Sequence, residues 1–269
     1  MEHTPTTTLE RQLIARAAAL RRPVSGSLEL TPLCNMNCRM CYVRLSPRQA
    51  RAAGALRTGQ QWAELAHPMA RAGVLFLLLT GGEPLLVPGF KELYLALKAE
   101  GMVLTLNTNG TLLDEPWADF FARHKPRRVN ITLYGADDAA YENLCRCPGR
   151  FEKALAAVRL LRAGGDVKLN GSVTPENVGE MDRLYAIARQ LDVPMHMDAY
   201  MMPGGAGATA LTERTAGTAR LPWARWAAGI RTAGSSGSDR MRGAAEGRST
   251  PHFLWQKCCP ALAGAGRAC

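Results

Sequence analysis

Three cysteines in one short stretch, Cys34, Cys38 and Cys41 of CNMNCRMCY, are the residues best suited to do chemistry. Thiolates spaced i, i+4 and i+7 in a single loop can wrap a cubic iron–sulfur cluster, each sulfur taking a different iron. The fourth iron then has no protein ligand and can accept a small molecule. Four-cysteine patterns close every position and suit electron transfer. Three ligands and an open position suit catalysis, the logic that separates open catalytic zinc sites from closed structural ones. Zinc is the competing reading. It would want a fourth cysteine or histidine close by, and the nearest histidine, His67, lies far downstream.

Thr80-Gly81-Gly82-Glu83-Pro84 ends the most apolar run of the chain. Two glycines let a ligand approach the backbone closely and leave amide and carbonyl groups free. Glu83 adds a carboxylate that can pair with an ammonium. Alone, the segment reads equally as a strand-to-loop turn; beside an open cluster it is a candidate cradle for the methionine end of a nucleoside. Cys145 and Cys147 flank Arg146 in what reads as a loop, either as incidental thiols or as auxiliary ligands, and His196 and Asp198 stand on the last strand-like segment.

The elements that must position these residues alternate regularly. After a short amphipathic helix over 8–19, an alternating strand over 27–32 delivers the cysteines. Strands are expected over 74–80, 102–106, 128–133, 167–173 and 193–199, and helices over 62–72, 90–100, 113–123, 151–163 and 175–191. The run VLFLLLT over 74–80 has the continuous apolar character of a parallel strand buried on both faces. Six β–α repeats with crossover helices imply a parallel sheet. Six units are two short of a closed eight-fold barrel, so a partial barrel and an open doubly wound sheet both fit. In either, ligands belong at the carboxyl ends of the strands.

A chain of 269 residues, 47% apolar, can bury a substantial core as one α/β domain with an appendage, or as two small domains. Aromatics are 6%, so aliphatic packing is expected to carry that core. The excess of basic residues, 33 against 23 acidic, is scattered and not interleaved with aromatics, which argues against a nucleic-acid partner. No run is long enough for a membrane span, and charges interrupt the N-terminal stretch where a secretory core would lie, so the expected compartment is the cytoplasm. Clustered cysteines in a reducing compartment point to metal or redox work. The organisation expected is a helical lead-in over 1–26, a catalytic α/β domain over 27–202, and a flexible linker and short extension over 203–269.

CxxxCxxC followed by Tyr42, with GGEP after the next strand, closely resembles the radical S-adenosylmethionine superfamily. Asn107-Thr108-Asn109-Gly110-Thr111 is similar to its TNG segment and Ile131-Thr132-Leu133-Tyr134-Gly135 to its strand-four segment. Tyr141-Glu142, Pro148-Gly149-Arg150-Phe151 and Val173-Thr174-Pro175-Glu176-Asn177 resemble the subgroup that modifies peptides and proteins. The resemblance implies a partial (β/α)6 TIM-like barrel with a short cysteine-bearing C-terminal extension. It implies that Cys34, Cys38 and Cys41 ligate a [4Fe–4S] cluster whose open iron is chelated by S-adenosyl-L-methionine. Gly81, Gly82 and Glu83 would hold the amino group of that cofactor, and Tyr42 would lie by the adenine. Asn109, Thr132 and Asn170 would line it, the last two at the ribose and methionine carboxylate. Reductive cleavage would give a 5′-deoxyadenosyl radical that abstracts hydrogen from substrate. On this reading Glu83→Ala weakens cofactor binding and spares the cluster.

The tail is similar in part to the start of a SPASM or twitch extension. Ala265-Gly266-Arg267 matches it, Ala263 stands where a cysteine is expected, and Cys258, Cys259 and Cys269 are fewer than the four thiolates of a closed cluster. Those three are the candidate ligands of a possible second iron–sulfur cluster; a tail without one is the alternative. The resemblance implies a peptide or protein substrate, with a small-molecule or cofactor precursor as second reading and a non-catalytic metal-binding or redox protein as third. Residues 1–26 are too few for the peptide-recognition domain of many such maturases, so a separate recognition protein is expected, with a flavodoxin or ferredoxin as electron donor.

Overall fold

The computed structural model describes residues 8–198; the calls on 199–269, including Cys258, Cys259 and Cys269, lie outside the described residues. Six strands, β1 (Ser25–Glu29), β2 (Phe76–Thr80), β3 (Val103–Thr108), β4 (Arg128–Thr132), β5 (Val167–Ser172) and β6 (Met195–Asp198), pair in parallel in their order along the chain. That order decides between the two architectures. A doubly wound sheet reverses at a switch point and collects helices on both faces. Here every right-handed crossover steps the same way, so helices gather on one face and the other is left as a lumen. The result is the singly wound partial barrel.

Helix α1 (Thr8–Ala19) precedes the sheet, and α2 (Pro47–Ala53), α3 (Gly59–Ala63) and α4 (Ala66–Ala72) connect β1 to β2. The later crossovers are α5 (Phe90–Ala99), α6 (Glu115–Arg123), the pair α7 (Asp138–Cys145) and α8 (Phe151–Arg162), and α9 (Met181–Gln190). No helix among the described residues is long and apolar enough to cross a membrane.

The helix expected over 62–72 is two helices. Pro68 has no N–H and its ring would strike the carbonyl four residues back, so it is tolerated only in a first turn. The chain accordingly breaks at Glu64–Leu65 and restarts at Ala66. The helix expected over 175–191 begins as a turn and a short 3-10 segment, Val178–Glu180. Buried Asn177 causes this: its amide donates to the carbonyls of Tyr134 and Ser172 (2.9 Å each), and its oxygen accepts from the Thr174 amide (2.8 Å).

Burial is one-sided. Leu77 and Leu79 of β2, and Leu104 and Leu106 of β3, have at most 1% of their surface exposed against the helix layer. Phe76, Leu78 and Thr80, on the other face of β2, are only half-buried. The expectation of a strand buried on both faces is therefore corrected. A closed eight-fold barrel fills its interior with layers of side chains, whereas here the facing positions include Asn107, Asn130, Thr132, Lys168 and Asn170, which stand in register across β3, β4 and β5.

The aliphatic expectation also needs correction locally. Phe90 and Tyr94 of α5 meet Trp117, Phe120 and Phe121 of α6, with ring centroids 5.4 to 6.2 Å apart. Such pairs contribute about 0.5–1.5 kcal/mol each beyond their buried area. The Tyr94 hydroxyl donates to the His124 carbonyl (2.7 Å), which lets the ring sink completely. Average composition cannot show that scarce aromatics sit together.

Candidate active site

Beyond β1 and β2 the two chains keep climbing side by side. The Leu30 amide donates to Thr80 O (2.9 Å), the Gly82 amide to Thr31 O (2.6 Å) and the Glu83 amide to Leu33 O (2.8 Å). The GGEP segment is thereby laid along the residues that lead into Cys34. Gly81 has φ +134°, a conformation that excludes ordinary side chains, and a Cβ there would lie 2.7 Å from Thr31 O. A Cβ on Gly82 would collide with Leu33 O. These glycines permit a close approach of the protein's own backbone. Gly82→Ala should displace the Leu33–Cys34 backbone at a cost of about 1–3 kcal/mol, a fall in Tm of about 2–4 °C for each kcal/mol. Differential scanning calorimetry checks this, and an unchanged Tm would refute it.

Glu83 has none of its surface exposed. One carboxylate oxygen accepts from the Leu85 amide (3.1 Å) and the Thr108 hydroxyl (2.8 Å), and the other from the Asn109 amide (2.9 Å). Burial pushes its carboxyl up to about 7, against the pull of those three donors. It is a latch between the β2 and β3 loops.

The latch extends to the cysteines. The Asn109 side-chain amide donates to Asn35 Oδ1 (2.7 Å) and lies 3.7 Å from Cys34 Sγ. Asn109 Oδ1 accepts from the Thr111 hydroxyl (2.6 Å) and amide (3.0 Å), and Asn35 Nδ2 donates to Thr111 Oγ1 (2.8 Å). Asn109 thus touches the first cysteine directly.

From the other side the cysteine loop is clasped by α7, a helix where the sequence pattern suggests a loop. The Asn37 amide donates to Cys145 O (3.1 Å), the Arg39 amide to Leu144 O (2.9 Å), and the Arg39 side chain to Asn143 O (2.7 Å) and Oδ1 (3.1 Å). Cys145 is fully buried with its thiol hydrogen-bonded to that of Cys38, while Cys147 Sγ lies 3.7 Å from Asn35 O. The Tyr141 hydroxyl reaches Thr132 O (3.4 Å) and hydrogen-bonds Cys145, and Tyr134 stands close enough to Cys38, Cys41 and Cys145 to feel their charge. These neighbours carried signals: Asp137 caps α7 through the Ala140 amide (2.9 Å), and Tyr141, Leu144 and Cys145 repeat at helical spacing.

The cysteines are tuned as a group. Burial pushes the Cys34 thiol up to about 11 and raises Cys41; sharing a hydrogen bond with Cys145, together with burial, raises Cys38 further. The Met36 amide (3.4 Å from Cys34 Sγ) and the Arg44 amide (3.3 Å from Cys41 Sγ) act the opposite way, holding N–H donors against sulfur. Amides aimed at sulfur are what a cluster-bearing loop supplies, and they stabilise the thiolates that iron requires. Among the described residues no three His, Cys, Asp or Glu converge on a point where a single metal ion could sit. Three thiols with no fourth cysteine or histidine in the loop suit a cubane, each sulfur on a different iron, better than a closed four-ligand zinc site.

The remaining candidates lie at the carboxyl ends of the strands. Tyr42 is 45% exposed and its hydroxyl bonds Glu29. Thr132 and Asn170 are register partners across β4 and β5, with His196 next to Asn170 on β6. The Asn170 side-chain oxygen is buried without a hydrogen-bond partner. A buried acceptor left open costs about 1–3 kcal/mol, and a donor from a bound cofactor would relieve it.

Residues 28–188, more than half of the chain, match the family model described as the Radical SAM superfamily. The chain belongs to that superfamily. An AdoMet-dependent heme synthase of Methanosarcina barkeri is 30% identical over 66% of this chain and 51% of its own. A PqqA peptide cyclase of Gluconobacter oxydans is 30% identical over 63% of this chain and 47% of its own. The chain thus spans about half the length of these relatives. The solved structure of Streptococcus suis SuiB bound to precursor peptide SuiA superposes with a TM-score of 0.57 at 16% identity, over 70% of this chain and 43% of that one. At that identity the likeness is one of fold, the radical SAM partial barrel.

Proposed function

We propose that this chain is a radical S-adenosylmethionine enzyme that modifies a peptide or protein side chain in the cytoplasm. The observation that carries the reading is the three-thiol loop itself, with amides aimed at its sulfurs and no fourth ligand in the loop. Cys34, Cys38 and Cys41 would hold a [4Fe–4S] cluster. Gly81, Gly82 and Glu83 would offer backbone carbonyls to the amino group of S-adenosylmethionine, Tyr42 would flank the adenine, and Asn109, Thr132 and Asn170 would complete the pocket. When bound, the cluster and S-adenosylmethionine together supply a reductively generated 5′-deoxyadenosyl radical that takes hydrogen from substrate. The protein's part is orientation and exclusion of water: Glu83 and Asn109 set the height of Cys34, α7 sets that of Cys38, and the half-buried lumen offers polar groups to the substrate.

A peptide substrate is supported by the named peptide cyclase and by the peptide-bound fold relative. A small-molecule precursor is the second reading, favoured by the heme synthase. A separate recognition protein and a flavodoxin or ferredoxin donor complete the proposal. A second cluster on Cys258, Cys259 and Cys269 would raise iron and sulfide per chain above what one cluster accounts for.

The test is anaerobic reconstitution followed by electron paramagnetic resonance with and without S-adenosylmethionine. The reduced spectrum should change on addition, and 5′-deoxyadenosine should accumulate; a spectrum indifferent to the cofactor would overturn the enzyme reading. Incubation with peptides encoded beside the gene, and in parallel with porphyrin precursors, read by mass spectrometry, separates the two substrate classes.

A further inference from the structure

Beneath Thr132 and Asn170 the lumen wall carries a second polar rung, Asn107, Asn130 and Lys168, register partners across β3, β4 and β5. We infer that this rung seats the reacting residue of the substrate, an acidic residue of a peptide, with its carboxylate on the Lys168 ammonium and its backbone N–H on Asn130 Oδ1. The inference deepens the proposed function, because it rests on the lumen being where the substrate lies.

Lys168 faces the lumen because its neighbours Val167 and Leu169 are sunk into the helix layer, and strand side chains alternate between faces. Its ammonium is paired with no carboxylate among the described residues. The acid that acts on it, Asp166, is already engaged: Arg128, two residues before Asn130 on β4, grips both of its carboxylate oxygens (2.9 and 2.7 Å). Burial and the Arg128 charge work against the Lys168 ammonium, and Asp166 offsets them only in part. A half-buried cation without a counter-ion is unfavourable, and a carboxylate brought into the lumen would supply one.

Asn130 narrows the choice of ligand. Its amide nitrogen donates to Asn107 Oδ1 (2.7 Å), while its own oxygen is buried with no hydrogen-bond partner. A buried acceptor left open costs about 1–3 kcal/mol, so this position calls for an N–H donor. Neighbouring strands lie about 4.8 Å apart, so one ligand that serves both residues carries an anion and an N–H close together. A glutamate or aspartate residue in a peptide does; its neutral amide counterpart lacks the anion. The level also suits the chemistry. Lys168 precedes Asn170 by two residues on β5, about 7 Å of rise. The anchor therefore lies one rung below the level assigned to S-adenosylmethionine, and a bound residue presents its carbon chain between the two.

The test uses the full chain, reconstituted anaerobically with S-adenosylmethionine present. The probe is N-acetylglutamate amide, which carries the carboxylate and the N–H; a fragment of this size binds at about the millimolar level. Lysines are acetylated with N-hydroxysuccinimidyl acetate and mapped by mass spectrometry, with exposed Lys153 of α8 as internal reference. Labelling of Lys168 relative to Lys153 should slow about tenfold once the probe fills about nine-tenths of the sites. N-acetylglutamine amide at the same concentration should leave it unchanged. Equal protection by both, protection by neither, or protection by coproporphyrin alone would overturn the inference. In ligand-observed nuclear magnetic resonance, saturation transfer to N-acetylglutamate amide should be lost in Lys168→Met and kept in Lys168→Arg, which retains the charge. Equal transfer in all three chains would overturn it as well. The wild-type labelling decides even where a variant fails to fold. A reduced spectrum that ignores S-adenosylmethionine would instead count against the function proposed above, so the two failures are told apart.

Discussion

Cys38→Ala should leave a folded chain that holds no stable cluster and forms no 5′-deoxyadenosine. Three thiols for a cubane leave no reserve: removing one strips an iron of its only protein ligand. Partners that merely orient a metal ligand change affinity about 10–100-fold when mutated, so the loss of a ligand should exceed that. The fold should survive, because the clasp on this loop uses main-chain groups of Asn37 and Arg39 and needs no sulfur. The cluster-free variant should therefore match cluster-free wild type to within about 1 kcal/mol in denaturant unfolding, the size of an ordinary substitution. Iron and sulfide content, visible absorbance and chromatographic assay of 5′-deoxyadenosine give the readout. Cys147→Ala, whose sulfur faces only the Asn35 carbonyl, is the control and should keep its cluster. Turnover in the Cys38 variant would remove the central assignment.

Glu83→Ala should cost stability and cluster together. It leaves the Leu85 amide, the Thr108 hydroxyl and the Asn109 amide buried and unpartnered. Each such group costs about 1–3 kcal/mol, a sum that is large against the roughly 5–15 kcal/mol by which domains are stable. Because Asn109 also touches Cys34 and Asn35, the damage should reach the cysteine loop. The sequence reading expected the cluster to be spared; the latch predicts otherwise. Glu83→Gln is milder, about 1–3 kcal/mol, since its amide would face one of these donors as a second donor. The same group makes stability depend on pH. Its folded-state value, about 7, lies above the ordinary carboxyl value of 4.5, so the proton is held more tightly in the folded chain. That contribution is fully present below the unfolded value and is lost as pH rises through the folded one. Stability should fall by up to about 3 kcal/mol between these values, and Glu83→Gln should flatten the slope. Urea midpoints measured from about pH 5 to about pH 8 check it; an equal slope in both proteins would sink the assignment.

Much of the site was legible because its signals are local. The cysteine spacing, the paired glycines and the β–α alternation are all read within a few residues, and they led to the superfamily and the barrel. Some missed elements were legible too. Ser46 and Gln49, and Thr58 and Gln61, form reciprocal capping boxes at the starts of α2 and α3, and Asp137 caps α7. What residue types do not show is how tightly this segment is tied to the chain itself: the two glycines lie against Thr31 and Leu33, and the Glu83 carboxylate accepts three hydrogen bonds.

The sequence by itself determined which groups can bind iron and which segments alternate as strand and helix, since side-chain chemistry and hydrophobic period are properties of neighbouring residues. Only the tertiary structure decided that the sheet winds in one direction and leaves a polar lumen. It alone joined Glu83 to Asn109 and Asn109 to Cys34, and brought Cys145 against Cys38. Those are contacts across long separations in the chain, set by how crossovers step and pack, and no local pattern encodes them.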